Sequence, residues 1–447
     1  MGVIVSFKQD FLTQRGVDYS GFSPEALSLE YDVAVVIQEQ EENGWLLDIR
    51  GAIDLLNTLQ DEMWATEAKV RGVFGPRYVD KGVVTPKYKK DGTLSTVGLK
   101  HLTHPLQAAG PFTRIDMEDF LVGSREQIGS RLLDMGWKPK EFTPTGQPKV
   151  SETILESLKY PVGQDIAHYL MLQKRVAMLS SWIEAAGDDD RVHGKVDTCG
   201  TVSGRMSHHS PNMAQVVANH KPFGEAMRSL WVAPEGYKVV GADAQGLELR
   251  VLAHFMDDVE YVSQILEGDI HSYNQEKASL PTRDTAKTFI YAFIYGAGDS
   301  LIGKLKGGGA KQGKLIKAEF LAGLPALKSL QDKVEKACRR GHLRGLDGRK
   351  LPVRSPHSAL NLLLQGAGAV IMKRALIIAA ERVKLEGYDA KFINNCHDEF
   401  ELEVLDGQED EVGQLLCDSI RDAGEYYGLR CPMAGAYMTG KSWAEVH

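Results

Sequence analysis

The chain has 447 residues, of which 43% are hydrophobic and 25% charged, with a formal net charge of −8. That length predicts about two to four domains, and the balance excludes disordered, collagenous and coiled-coil classes. Five cysteines, Cys199, Cys338, Cys396, Cys417 and Cys431, form no CxxC and no metal-ligand spacing, which fits a reducing cytoplasm. No apolar run approaches the roughly 18 residues of a membrane span, so no membrane helix is expected. The N-terminus lacks the basic and long apolar regions of a signal peptide. Met1 to Ser6 fits the loose myristoylation pattern, but nothing polybasic follows to add a second anchor.

Charge is unevenly spread. Residues 302–350 hold 13 Lys/Arg against 4 Asp/Glu, and residues 398–425 hold 11 Asp/Glu against one Arg. A basic block beside an acidic one suits a phosphate-binding surface next to a metal-attracting one, although two solvated helix faces fit equally well at this point.

In chain order, residues 1–30 form a short mixed arm. Helical spacing runs from about Tyr31 to Phe74 and stops at Gly75-Pro76. Residues 76–123, rich in Gly, Pro, Lys and Tyr, predict an irregular insertion or small hairpin module. Ser124 with Gln127 resembles a capping box, and another helical stretch spans Ser151 to about Ala186. Strand signals follow in 187–246, including Tyr237 to Ala242. Residues 247–340 predict mainly helix, and 350–447 predict helix, hairpin, helix. The fold class is α+β and α-rich, with a modest sheet assembled from distant segments.

Three segments carry chemistry. In VVGADAQGLELRVLAHF (239–255), a strand ends at Asp243 just before a helix, where a carboxylate either holds a hard cation or caps the helix. In KFINNCHDEFELEV (391–404), Phe400, Leu402 and Val404 alternate with Glu399, Glu401 and Glu403, which predicts a half-buried strand with an acidic solvent face and His397-Asp398 at a hairpin tip. In LPTRDTAKTFIYAFIYGAG (280–298), a helix starts near Thr282 and stops near Gly296, and Arg283, Lys287, Tyr291 and Tyr295 fall four apart along one face. Such a stripe can hold a triphosphate at its basic end and a base or sugar at its aromatic end; an amphipathic helix with tyrosines in the core is the alternative. Two distant carboxylates with a cationic-aromatic helix describe two-metal phosphoryl or nucleotidyl transfer.

These segments resemble the family A DNA polymerases, in the form found in T-odd short-tailed phages. VSGRMSHHSPNMAQV (202–216) is similar to the family's TGR…PNLQ segment, and GLDGRKLPVRSPHSALNLLLQGAGAVI (345–371) to the segment ending in its Gln-bearing helix. The resemblance covers about residues 30–447 and implies a right-hand fold: an N-terminal arm at 1–26, thumb at 27–177, palm at 178–255 and 346–447, and fingers at 256–345. It implies that Asp243 and Asp398, with the carbonyl of Ala244, bind two Mg²⁺ ions. Arg283, Lys287 and His271 would contact the incoming triphosphate, and Lys287 would protonate the leaving pyrophosphate. Glu248 and Tyr291 would crowd the sugar 2′ position, and a Tyr at 291 implies acceptance of dideoxynucleotides. Arg205, Asn212, Gln215, Gln365, His397 and Tyr295 would lie against primer–template DNA.

Ser203 stands where the family has Thr, and Cys396 where an apolar residue is usual; Cys396 is expected to be a small buried hydrophobe. Family members of this type carry a 3′–5′ exonuclease ahead of the thumb, yet only about 30 residues precede it here, without a DxE pair. The expectation is therefore no proofreading in this chain unless a separate exonuclease subunit supplies it. The insertion 76–123 occupies the place where T-odd phage enzymes recruit a processivity factor; a bare DNA-contacting loop is the alternative. Primer–template DNA and dNTPs are the expected partners, with no membrane, in the cytoplasm of a host cell if the gene is a phage's. Rival readings are a single-subunit RNA polymerase, which Glu248 and Glu399 oppose, a structural DNA-binding subunit, which retention of Asp243, Asp398, Arg283 and Lys287 opposes, and a standalone nuclease.

Two features are decoys. Gly308 to Lys314 fits GxxxxGK, but Leu315 stands where Ser or Thr must reach Mg²⁺, so a basic turn is expected. His208-His209 lacks supporting carboxylates and is expected to be a surface pair near DNA.

Overall fold

The computed structural model describes residues 10, 12–108 and 110–446, so the myristoylation-like residues lie outside it. The chain forms two compact units, one of residues 1–52 with 181–447 and one of 53–180.

In the larger unit, helix α1 (Pro24–Asn43) opens on the N-cap Ser23, whose Oγ accepts from the Ala26 N–H at 3.0 Å. The single helix expected from Tyr31 to Phe74 is broken: Gly44 takes φ 60°, Trp45–Leu46 form a short strand, and helix restarts at Ile49. A glycine's freedom at positive φ ends the first helix without steric cost, a signal that the continuous apolar spacing on either side obscured.

The functional framework is a four-stranded antiparallel sheet of β1 (Tyr237–Ala244), β2 (Ala390–Cys396), β3 (Glu399–Leu405) and β4 (Gly435–Gly440), in the order β2-β3-β1-β4. Between β1 and β2 run helices α2 (Leu247–Met256), α3 (Ile270–Lys277), α4 (Arg283–Ile294) and α5 (Ala359–Glu386); α6 (Glu409–Tyr426) follows β3. Val240, Ala242, Phe400, Leu402 and Val404 form one core with α5 and α6 residues such as Val370, Leu416 and Ile420. The predicted helix-hairpin-helix is present; β4 completes the sheet from a segment that carries no alternating pattern.

The expected acidic solvent face of β3 is contradicted. Glu399, Glu401 and Glu403 are all buried, because β3 is an interior strand covered on both faces, and period-two alternation cannot report what covers the second face. Arg191 pairs with Glu403 at 2.7 Å. Arg228 lies beside Glu399 and Glu401 and stacks its guanidinium 4.5 Å over Trp443. Trp443 belongs with Trp45, Trp231 and Trp182 to one chain of ring contacts at 4.9–5.6 Å.

Helix α5 and the turn before it, Pro356–Glu386, are long enough to cross a membrane, and their most apolar window reaches a mean hydropathy of 1.6, although polar residues interrupt the apolar run. Its most apolar window is 78% buried against the rest of the protein, as in a core helix. The GxxxxGK segment is a helix start rather than a turn: Gly309 precedes helix Ala310–Gly323. A Cβ on Gly313 would lie 1.8 Å from the Asp299 carbonyl, so this glycine serves close backbone packing, not a phosphate.

In the smaller unit, residues 76–123 form the predicted hairpin module, with Arg77–Val84 paired to Phe112–Glu118 and Lys87–Tyr88 to Leu94–Ser95. Tyr78 is registered with Met117, and both are exposed, as are Ile115 and Val83. Ser124 caps Arg125–Asp134 as expected, but Gln127 reaches back to the Leu121 N–H at 2.8 Å rather than to the cap residue. The stretch expected from Ser151 to Ala186 is split into Glu152–Glu156 and Pro161–Ala185; the residue before a proline disfavours helix.

Candidate active site

The two distant carboxylates meet at one end of the sheet. β1 ends in Asp243 and Ala244, and the β2–β3 hairpin turns on His397, at φ 60°, and Asp398. Asp243 is registered with Glu399, and the Ala244 N–H donates to the Asp398 carbonyl at 2.9 Å. This bond fixes the hairpin turn against the strand that carries the other acid. Asp243 is exposed and Asp398 half-buried. Burial, then Glu248 and Glu399, pushes the Asp398 carboxyl up to about 6 despite the opposing pull of Arg205.

Glu248 sits in the first turn of α2 and is buried. Its Oε1 accepts from Arg205 Nη2 at 2.8 Å and from the Tyr295 hydroxyl at 3.0 Å. One carboxylate thereby gathers side chains from the 202–216 segment and from the end of α4. Tyr295 lies one residue past the last helical position, so the expected stripe closes with a C-cap residue rather than a fourth helical turn. Arg205 and His397 line a small cleft with Met206, Asn395 and Lys373. Burial and then Arg205 lower the His397 pKa, favouring the neutral ring.

Along α4, the Thr282 Oγ1 accepts from the Thr285 N–H at 3.1 Å, as its start signal implied. Lys287 is exposed and Tyr291 half-buried. Burial, then the carboxylates of Glu248, Asp398 and Asp243, raises the Tyr291 phenol, so this ring lies within electrostatic reach of all three acids. The His271 ring lies 6.4 Å from that of Tyr291, centroid to centroid, and burial followed by Arg283 and Lys287 lowers its pKa. Arg283 is engaged: its Nε and Nη2 donate to Asp269 at 2.6 and 3.2 Å.

Gln365 is half-buried on α5 beside Gly366, where a Cβ would lie 3.4 Å from the Ser203 carbonyl. Asn212 is half-buried, and Gln215 exposed, at a short turn of 3₁₀ helix; among the described residues neither hydrogen-bonds to the acids at the sheet end. Cys396 is buried as expected, and burial raises its thiol. The surface histidine pair is contradicted in part. His209 is exposed, but His208 is buried, and burial lowers it to about 4. Residues 207–209 form a strand paired with Lys195–Asp197, and neighbours along a strand point to opposite faces.

Sequence reading missed Asp269, which stands two residues before His271 but carries no motif of its own. It also missed a buried charge cluster of Glu30, Lys373, Arg349 and Asp347, whose members lie too far apart in sequence to suggest one another. Among the described residues no group of three or more His, Cys, Asp or Glu forms a ready metal cage. Two carboxylates and nearby backbone carbonyls are hard oxygen donors suited to Mg²⁺, and the raised Asp398 marks a place where a cation would stabilise charge.

Comparison with known proteins identifies the family and the fold. The family model for DNA polymerase family A matches residues 104–445. The DNA-directed DNA polymerase of Escherichia phage T7 is 33% identical, over 96% of this chain and 72% of its own length. That of Enterobacteria phage T3 is also 33% identical with the same coverage. A solved structure of the POL domain of Pol1 from M. smegmatis, in complex with DNA primer-template and dNTP, superposes with a TM-score of 0.78 at 20% identity, over 94% of this chain and 71% of that one. The chain belongs to DNA polymerase family A and has its α+β polymerase fold.

Proposed function

We propose that this DNA polymerase extends a DNA primer from dNTPs by two-metal nucleotidyl transfer in phage DNA replication, with palm at 178–255 and 346–447, fingers at 256–345 and thumb at 27–177. The observation that carries the reading is the junction of Asp243 and Asp398 at one sheet end, tied by the Ala244–Asp398 backbone bond of 2.9 Å. The carboxylates of Asp243 and Asp398 with the Ala244 carbonyl would hold two Mg²⁺ ions, which when bound activate the primer hydroxyl and neutralise charge on the leaving phosphate.

The chain's own side chains do the rest. Arg283, Lys287 and His271 hold the triphosphate, and Lys287 donates a proton to the departing pyrophosphate. Glu248, fixed by Arg205 and Tyr295, stands with Tyr291 against a ribose 2′-hydroxyl. Arg205, His397, Gln365, Asn212 and Gln215 contact the primer–template, and the Tyr295 ring stacks near the templating base. The primer 3′ oxygen bonds to the α-phosphorus as the α–β phosphoanhydride bond breaks. The exposed Tyr78, Val83, Ile115 and Met117 of the 76–123 ribbon support a protein partner there, because apolar residues grouped on one ribbon face suit docking better than a phosphate backbone does.

The test is extension of a labelled primer–template with Mg²⁺ and dNTPs, run beside NTPs. A dNTP-dependent ladder, without primer shortening when dNTPs are withheld, supports the reading. A ladder only with NTPs favours the RNA polymerase rival, and tight DNA binding without either ladder favours a structural subunit.

A further inference from the structure

Two side chains read as triphosphate contacts, Arg283 and His271, belong to different helices, yet both are tied to one carboxylate. Asp269 is the N-cap of α3, and its Oδ1 accepts from the His271 backbone N–H at 3.1 Å. Its Oδ2 accepts from the Ser272 hydroxyl at 2.7 Å. The same carboxylate takes Arg283, the first residue of α4, through Nε at 2.6 Å and Nη2 at 3.2 Å.

We propose that Asp269 is a positioning residue for the triphosphate subsite, joining the first turns of α3 and α4 so that Arg283 and His271 are presented at a fixed spacing. This rests on the polymerase reading given above.

A guanidinium carries five N–H donors in one plane. Asp269 occupies the edge formed by Nε and Nη2, which leaves both protons of Nη1 and one of Nη2 as a second fork. Arg283 can therefore keep its grip on Asp269 while a phosphate takes that fork in two-point fashion. Two effects compete. The Asp269 charge repels the triphosphate, but the pair is about half exposed, at 52% and 40%, so water and salt screen that repulsion. Pre-ordering a long, rotamer-rich side chain is not screened, and binding recovers the whole of it. Ordering wins, so loss of Asp269 weakens nucleotide binding rather than strengthening it.

The experiment is single-nucleotide insertion on a primer–template with Asp269→Asn, Asp269→Glu, Arg283→Ala and the double variant Asp269→Asn/Arg283→Ala. Asn caps a helix as well as Asp, so Asp269→Asn keeps α3 and loses the charged grip. The expected result is a KM for dNTP raised about fivefold, kcat within twofold, unchanged affinity for DNA, and partial rescue by Asp269→Glu. In the Arg283→Ala background Asp269→Asn adds no further rise in KM. An unchanged or lowered KM, a fall in kcat alone, or additive effects in the double variant would overturn the proposal. Failure of the wild-type protein to insert dNTPs at all would sink the polymerase reading, and this inference with it.

Discussion

Glu30→Gln tests the buried cluster that ties α1 to α5. Glu30 is fully buried, and its Oε1 receives Lys373 Nζ at 2.6 Å and Arg349 Nη2 at 2.7 Å. Burial raises this carboxyl, but Lys373 and Arg349 more than offset it, so the group is held below its ordinary value. Replacing the carboxylate with an amide of the same shape leaves Arg349 on Asp347 at 2.6 Å. Lys373, 2% exposed, keeps the amide oxygen and the Cys199 sulfur at 3.5 Å as neutral acceptors but loses its only buried counter-charge among the described residues. A stranded buried cation costs about 3–5 kcal/mol. Release of the proton caps that cost, because neutralising a lysine at pH 7 takes about 1.4 kcal/mol for each of roughly 3.4 pH units, or nearly 5 kcal/mol. In a domain this size the loss is on the order of 10 °C in Tm.

The sign of the pH dependence follows. In the variant the folded state binds fewer protons than the unfolded one between neutrality and about pH 10, so its stability rises with pH there. The assay is thermal and urea unfolding of wild type and Glu30→Gln at pH 7 and 9.5, beside Glu30→Leu/Lys373→Met. The gap from wild type should narrow at the higher pH, and the apolar pair should regain most of the loss. A loss under 1 kcal/mol, or one equal at both pH values, would refute the argument.

Further outcomes follow from the site and the hairpins. Glu248→Ala releases Arg205 and Tyr295 together; the ratio of dNTP to NTP insertion should fall at least tenfold, and an unchanged ratio would remove Glu248 from sugar selection. His208, lowered by burial from 6.5 to about 4, has a depressed folded value, so its contribution is complete above about pH 6.5 and is lost as pH falls toward 4. That loss amounts to roughly 2–3 kcal/mol; His208→Gln should flatten the acid limb of urea stability measured from pH 7 to 4, and an identical slope in both proteins would count against it.

The catalytic geometry was legible where local pattern and chemistry coincide. Asp243 ends its strand region beside an opening helix, and His397-Asp398 sits between two strand patterns, so both positions follow from periodicity. Their meeting does not, because the register of β1 with β3 is a tertiary fact. The covered face of β3 was illegible for the same reason: Arg191 and Arg228, which partly offset its charge, come from segments roughly 170–210 residues away in sequence. Gly44 broke a helix that apolar spacing carried straight through. Lys373 and Glu30 lie 343 residues apart on different helices, and nothing around either in the sequence marks it as buried.

The most direct test of the account is Asp398→Ala, assayed for Mg²⁺-dependent primer extension and, in parallel, for primer–template binding and thermal stability. The account predicts extension reduced by at least a thousandfold, with DNA affinity within a few fold of wild type and Tm unchanged or raised, since a carboxyl pushed up to about 6 is held at a cost to the fold. Substantial Mg²⁺-dependent synthesis by this variant would contradict the assignment of Asp398 to the reaction.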